Sequence, residues 1–231
     1  MQNDDCAVPL QSRELEISFG PFMRTTRFLV LISLFLLATA VTRAGEAEAP
    51  APHQAIPVPG DFEPPRFEFA TETAYLLSFA GNPNNYEIGA QFFTGRLRWG
   101  VNRNPQSVFR GYNQIYLLAM AEPIFRGPEN RYFGISTGLR HVFVQPGWRI
   151  QPYISGGVGA GFIDSTDAFR QGQGQDFTFN ILTQAGFDYL VNDHWKFNLG
   201  AIYQHLSNGG QTDPNPSLNL LGPQIGLTYS F

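Results

Sequence analysis

Cysteine is almost missing from this chain: Cys6 is the single thiol and precedes the first apolar run, so no disulfide framework braces the exported part. Charge is scarce as well, with 15% of the 231 residues ionisable as Asp, Glu, Lys or Arg, where a soluble surface carries about a quarter to a third. That deficit implies a surface facing something other than water. No block of like charges occurs and the formal net charge is −4, which excludes the electrostatic footprint of a nucleic-acid binder. No His/Cys/Asp group has ligand spacing, so no metal and no other cofactor is expected. The apolar runs are too short for a membrane-spanning helix, which needs about 20 residues.

What is present begins with a leader. Arg24 and Arg27 precede the apolar run Phe28–Ala40, and small residues follow near Ala44. This is the outline of a secretory signal, whose apolar stretch is shorter than a transmembrane helix. Met23 directly precedes the basic residues, so the first 22 residues read as an upstream start. Residues 1–44 are therefore assigned to extension and signal, and 45–65, rich in proline and including His53, to an extended linker. Residues 66–231 form a single domain by length.

In that domain the helical period gives way to a period of two. Eight segments of about ten residues or more are separated by Gly, Pro, Asn and Asp. They run Arg66–Phe79, Tyr86–Val101, Gly111–Glu122, Tyr132–Phe143, Arg149–Ile163, Phe177–Leu190, Trp195–Ser207 and Leu218–Phe231. Phe177, Phe179, Ile181, Ala185, Phe187 and Tyr189 share one face, with Thr178, Asn180, Gln184 and Asp188 on the other. Trp195, Phe197, Leu199 and Tyr203 repeat the pattern against Lys196, Asn198, Gln204 and Asn208. An even number of strands closes an antiparallel sheet into a barrel. Alternation alone also suits a soluble, lipocalin-like barrel with its apolar residues inside. The signal, the strand lengths, the aromatics near strand ends and the closing segment Ile225–Phe231 favour an all-β, eight-stranded antiparallel transmembrane barrel of the bacterial outer membrane, apolar side outward.

Both termini then lie on the periplasmic side, Asp164–Asp176 is an external loop, and Val191–His194 is a periplasmic turn with His194 a turn residue. The connection Asn102–Arg110 is longer than such turns usually are. His141 shares the aromatic-rich face of the fourth segment, which suits a structural role near the periplasmic rim.

One segment stands apart, Tyr203-Gln-His-Leu-Ser-Asn-Gly-Gly210, at the external end of the seventh strand. His205 and Ser207 are two apart and so project from one face, the face of Phe197 and Tyr203. Polar groups are costly toward lipid, though less so near the headgroups. On spacing alone they also suit an ordinary polar rim.

His-Leu-Ser-Asn-Gly followed by Asn-Pro-Ser-Leu-Asn and a barrel-closing strand resembles the PagL-type lipid A deacylases (acyloxyacyl hydrolases), over the barrel from about Arg66 onward. The resemblance implies a serine esterase acting on lipid A of lipopolysaccharide. It makes His205 the general base, Ser207 the nucleophile and Asn208 an oxyanion donor, with backbone groups of Gly209 and Gly210 able to assist. The family's third catalytic member is a glutamate 14 residues after the histidine; Asn219 stands there. In a serine triad such a loss of the acid costs about 10⁴-fold by favouring the wrong histidine tautomer. Asp213 is the one nearby carboxylate that could substitute. Asn219 shares outward parity with Ile225 and Leu227 provided that Pro223 introduces no bulge. The alternative reading is a non-catalytic outer-membrane barrel with a structural or binding role. Whether barrels pair as homodimers stays open.

Overall fold

The computed structural model describes residues 62–79, 85–165 and 172–231. The leader, Cys6, Met23, His53 and all of the linker up to residue 61 lie outside the described residues. Eight strands follow: β1 (Phe67–Ser78), β2 (Glu87–Asn102), β3 (Gly111–Arg126), β4 (Arg131–Phe143), β5 (Ile150–Ile163), β6 (Phe177–Leu190), β7 (Trp195–Ser207) and β8 (Leu218–Ser230). Each pairs antiparallel with the next, and β8 pairs with β1 to close the barrel. β3 runs beyond the expected Glu122 through Pro123, keeping one register from Gln91↔Ala121 to Ile88↔Ile124. Pro123 costs a ladder bond without displacing the strand.

The barrel is turned inside out relative to a soluble protein. Leu117, Ile135, Val158 and Leu199 are more than half exposed, whereas Glu68, Glu72, Gln114, Asp188 and Asn198 are fully buried. An apolar wall around a polar lumen fits a lipid surround, and it overturns the lipocalin-like alternative.

The lumen has two layers, which simple alternation does not anticipate. Near the rim where β1 begins and β8 ends, charges interlock. Arg140 Nη2 lies 2.8 Å from Asp188 Oδ1, Arg96 Nη2 lies 2.6 Å from Glu72 Oε1, and Lys196 Nζ pairs with Glu68 and donates to Tyr112 Oη at 2.9 Å. Arg140 also sits 3.9 Å over the Tyr153 ring. Toward the other rim apolar side chains predominate, with Leu76, Phe92, Leu118, Leu182, Ile202, Leu206 and Leu220 packed together around a buried Glu122 that accepts from Gln204 Nε2 at 2.9 Å. An eight-stranded barrel is just wide enough for its side chains to fill, so part of it can pack as an apolar core. Tyr116 and Tyr132 occupy the space left by inward-facing Gly157 and Gly161 of β5.

The long β2–β3 connection has a structural purpose. Asn102 Nδ2 donates to Ser107 Oγ and to the Phe109 carbonyl, both at 3.0 Å, and Asn104 Oδ1 accepts from the Gln106 N–H at 3.0 Å. The end of the linker folds against it. Phe62 packs on Tyr112, Val142, Val144 and Tyr153, beneath the Arg110 guanidinium at 4.9 Å. Glu63 pairs with Arg98 at 2.6 Å and Arg103 at 2.5 Å. The Arg98 hydrogen bond, with both cations, holds the Glu63 carboxyl below its ordinary range. Phe62 and Glu63 thus fasten to this mouth of the barrel beside the turn. The β6–β7 turn at the same rim carries His194, whose Nδ1 lies 2.9 Å from the Ser230 carbonyl with the ring stacked on Tyr229. His194 is a turn residue, as expected.

Candidate active site

The β7–β8 ladder places the site. Its register holds from Trp195↔Tyr229 to Leu206↔Leu218 without a shift, with Pro223 opposite Ala201. The bulge that Pro223 threatened does not form. Because Gly222 precedes it, β8 can lie close to the Tyr75 carbonyl of β1, a space that any Cβ would fill. Asn219 therefore keeps its parity and stands directly opposite His205 on the outward face. Its Oδ1 is 2.8 Å from His205 Nδ1. A carbonyl oxygen only accepts, so in this arrangement Nδ1 carries the proton and Nε2 keeps a free lone pair, the form a general base requires.

Ser207 lies one outward position further along β7. Its Oγ is 3.2 Å from both Oδ1 and Nδ2 of Asn215 and accepts the Gly209 N–H at 3.1 Å. No hydrogen bond joins Ser207 to His205 among the described residues: the imidazole is taken by Asn219 and the hydroxyl by Asn215 and the Gly209 N–H, and two residues along a strand span about 6.6 Å. Catalytic hydrogen bonds of this type commonly tighten only when substrate is bound.

The two oxyanion candidates are placed differently from expectation. Asn208 points inward and is fully buried; its Nδ2 donates to the Thr212 carbonyl at 2.6 Å, and its Oδ1 accepts the Gly210 N–H at 2.9 Å. Both donors are committed to closing the loop after β7, so neither Asn208 Nδ2 nor the Gly210 N–H is aimed at Ser207. The donors that do reach Ser207 Oγ are the Gly209 N–H and Asn215 Nδ2. Gly209 and Gly210 have φ of 69° and 73°, a left-handed conformation that suits glycine and turns the chain back tightly after Ser207. Asn215 was not singled out from the sequence, although it opens the Asn-Pro-Ser-Leu-Asn stretch. Its Oδ1 also accepts the Asn208 N–H at 3.1 Å, which ties the loop to the strand end. Asp213 is exposed in the same loop, and no hydrogen bond or ion pair joins it to His205 among the described residues. The partner of the histidine is Asn219.

Apolar groups flank this polar cluster. Phe179 pairs with Ser207 and Ile181 with His205 across β6. On the other side Leu221 pairs with both Tyr203 and Leu77, and Phe79 is half exposed next to Asn219. A second outward histidine provides an internal contrast. His141 Nδ1 lies 2.8 Å from Asn113 Oδ1 across β3–β4, but its face neighbours are the rings of Phe109 and Phe143, with no hydroxyl two residues along. Of these two outward His–Asn pairs, the one on β7–β8 has a hydroxyl two residues along and the one on β3–β4 does not. Among the described residues no group of His, Cys, Asp and Glu is arranged to hold a metal ion.

The family model described as lipid A 3-O-deacylase (PagL) matches residues 84–228, from the start of β2 through the site to the end of β8. The chain belongs to the PagL family. It is 27% identical over 165 residues to the lipid A deacylase PagL of Bordetella bronchiseptica, a match that covers 71% of this chain and 73% of that one. Among solved structures, the crystal structure of the outer membrane enzyme PagL superposes with a TM-score of 0.53 at 16% identity, covering 69% of this chain and 97% of the other. Neisserial surface protein A superposes equally, with a TM-score of 0.53 at 11% identity over 71% of this chain and 97% of its own. At these identities the two superpositions establish the barrel only, and two differently named proteins share it. PagL membership, together with the apolar outer wall, places the barrel in the bacterial outer membrane.

Proposed function

We propose that this PagL-family barrel hydrolyses an ester-linked acyl chain of lipid A in the outer leaflet, by a serine mechanism on its own lipid-facing wall. The observation that carries this reading is His205 Nδ1 at 2.8 Å from Asn219 Oδ1, with Ser207 next along the same outward face. His205 Nε2 takes the Ser207 proton as Oγ adds to the ester carbonyl. The resulting oxyanion meets the Asn215 amide and the Gly209 N–H. Collapse breaks the ester, and the proton on Nε2 passes to the departing sugar oxygen, leaving an acyl group on Ser207. Water, deprotonated by the same histidine, then releases the fatty acid and returns the proton to Ser207. Asn219 keeps the imidazole in its basic tautomer throughout.

Location and chemistry support each other. Lipid A occupies the leaflet at the external rim, and Phe179, Ile181, Leu221 and Phe79 offer hydrocarbon contact to an acyl chain without removing it from the membrane. The 3-position ester is the one that the family description points to. Lipid A from cells producing the wild type and Ser207→Ala, compared by mass spectrometry, tests the reading. Loss of one acyl chain only with the wild type is expected; equal deacylation in the two sinks the serine mechanism.

A second reading, a barrel with a structural or binding role, is favoured by the neutral Asn219 in the acid position. Asn219→Glu discriminates. A rise in activity identifies an enzyme working without its carboxylate, whereas no hydrolysis from either form supports the structural role.

A further inference from the structure

Tyr203 lies two residues before His205 on the outward face of β7, and its Oη donates to Asn219 Oδ1 at 2.7 Å. The same oxygen faces His205 Nδ1 at 2.8 Å. A carbonyl oxygen has two lone pairs, so one Asn219 oxygen serves both donors. On its other side, Asn219 Nδ2 is directed at the Ser217 carbonyl, 3.5 Å away. Ser217 has a φ of 50°, a left-handed conformation uncommon for a residue with a Cβ.

These contacts matter because an asparagine, unlike a glutamate, has two different ends. If the amide turned over, its NH₂ would face His205 Nδ1 and donate to it. The proton would then have to sit on Nε2, which could no longer accept from Ser207. The Nε2–H form is also the tautomer that free imidazole side chains favour, so the opposite form needs a holder. Turning the amide over would leave the phenol O–H without its acceptor in a largely apolar wall and set two carbonyl oxygens against each other at Ser217.

We propose that Tyr203 is a positioning residue: through Asn219 it fixes the Nδ1–H tautomer of His205, doing by orientation what a carboxylate would do by charge. The proposal rests on the hydrolytic reading above for its consequence in catalysis. Tyr203 adds no basicity and touches no reacting atom.

The test uses the full mature chain folded in detergent, ¹⁵N-labelled in histidine, with His205→Gln to identify the ring resonances of residue 205. Spectra are taken near pH 8, well above the ordinary histidine pKa of about 6.5. The wild type is expected to show a protonated Nδ1 and an unprotonated Nε2, and Tyr203→Phe a shift of both resonances toward the Nε2–H form. Tyr203→Phe is further expected to lower kcat about 2- to 12-fold, the worth of one hydrogen bond, with KM unmoved. In an Asn219→Glu background the same change should cost less than about 2-fold, because a carboxylate has two equivalent oxygens and needs no orienting. An unchanged tautomer in Tyr203→Phe, or an equal loss of kcat in both backgrounds, overturns the proposal and leaves Tyr203 a packing residue. If the wild type cleaves no lipid A yet Tyr203→Phe moves the tautomer, the hydrolytic reading falls and the positioning role stands.

Discussion

His205 and Asn219 are direct cross-strand partners on the outward face of the β7–β8 ladder, and their side chains meet Nδ1 to Oδ1 at 2.8 Å. The pair has the geometry of a base and its orienting group, with one element removed: the negative charge that would stabilise the imidazolium as it forms. A hydrogen bond to a charged acceptor exceeds a neutral one by about 1 to 1.5 kcal/mol. Asn219→Glu is therefore expected to raise kcat about tenfold, measured as acyl release from purified lipid A. This is far less than the about 10⁴-fold that an acid-to-amide change costs where the tautomer is also lost. Asn219→Ala should instead lower the rate; an Ala variant as active as the wild type would separate Asn219 from catalysis.

The oxyanion site yields an independent prediction. Asn215 Nδ2 lies 3.2 Å from Ser207 Oγ, next to where the tetrahedral oxygen develops. Removal of one such donor costs about 10²- to 10³-fold in kcat. Asn215→Ala is expected to lose that much with little change in KM. Asn215→Asp, which sets a negative charge against the oxyanion, should do no better. Recovery of wild-type kcat in either variant would remove Asn215 from the oxyanion site.

Much of this was legible in the sequence, for a physical reason. A sheet with lipid on one side repeats every two residues, so the eight strands and the outward parity of His205 and Ser207 follow from counting, whereas the end of β3 and the parity of Asn219 beyond Pro223 did not. Counting failed where the second face stopped being polar. Leu182, Ile202 and Leu206 break the polar series of β6 and β7 because they join an apolar cluster in that half of the lumen. Pro223 suggested a bulge that the ladder does not contain, since the loss of one N–H leaves the register of β8 intact. The parity of β7 already put Asn208 on the inward face, but nothing in the sequence pointed to Asn215. Both are asparagines in the β7–β8 region, and which one reaches Ser207 depends on how the loop folds back after Gly209 and Gly210.

The charged layer of the lumen should be costly to break at one partner and cheap to replace as a pair. Asp188 is fully buried, pairs with Arg140 at 2.8 Å and accepts from Asn198 Nδ2 at 2.8 Å. Asp188→Ala would leave the Arg140 guanidinium buried with its main partner gone, a cost of about 3 to 5 kcal/mol. The expected result is a clear drop in the urea midpoint for loss of the compact, heat-modifiable band in detergent. Joint replacement of Arg140 and Asp188 by Met and Leu should recover most of that loss, because no buried charge is then left unpaired. A single variant with an unchanged midpoint would show that water enters the lumen and screens these charges.

Asn208 separates a scaffold from a catalytic donor. Its Oδ1 accepts the Gly210 N–H at 2.9 Å and its Nδ2 reaches the Thr212 carbonyl at 2.6 Å, so it holds the turn that presents Asn215. The β5–β6 connection leans on the same turn through Gly174 N–H to the Pro214 carbonyl at 2.8 Å and Thr212 Oγ1 to Gln175 Oε1 at 2.6 Å. Asn208→Ala should therefore release the loop and lower kcat indirectly, with limited proteolysis cutting between residues 208 and 217 faster than in the wild type. Asn208→Asp keeps the acceptor for Gly210 but loses the donor to Thr212, and should fall between the two in both measurements. The coupling decides the role, because a donor to the oxyanion would lower kcat with no change in cleavage, whereas a scaffold moves the two together.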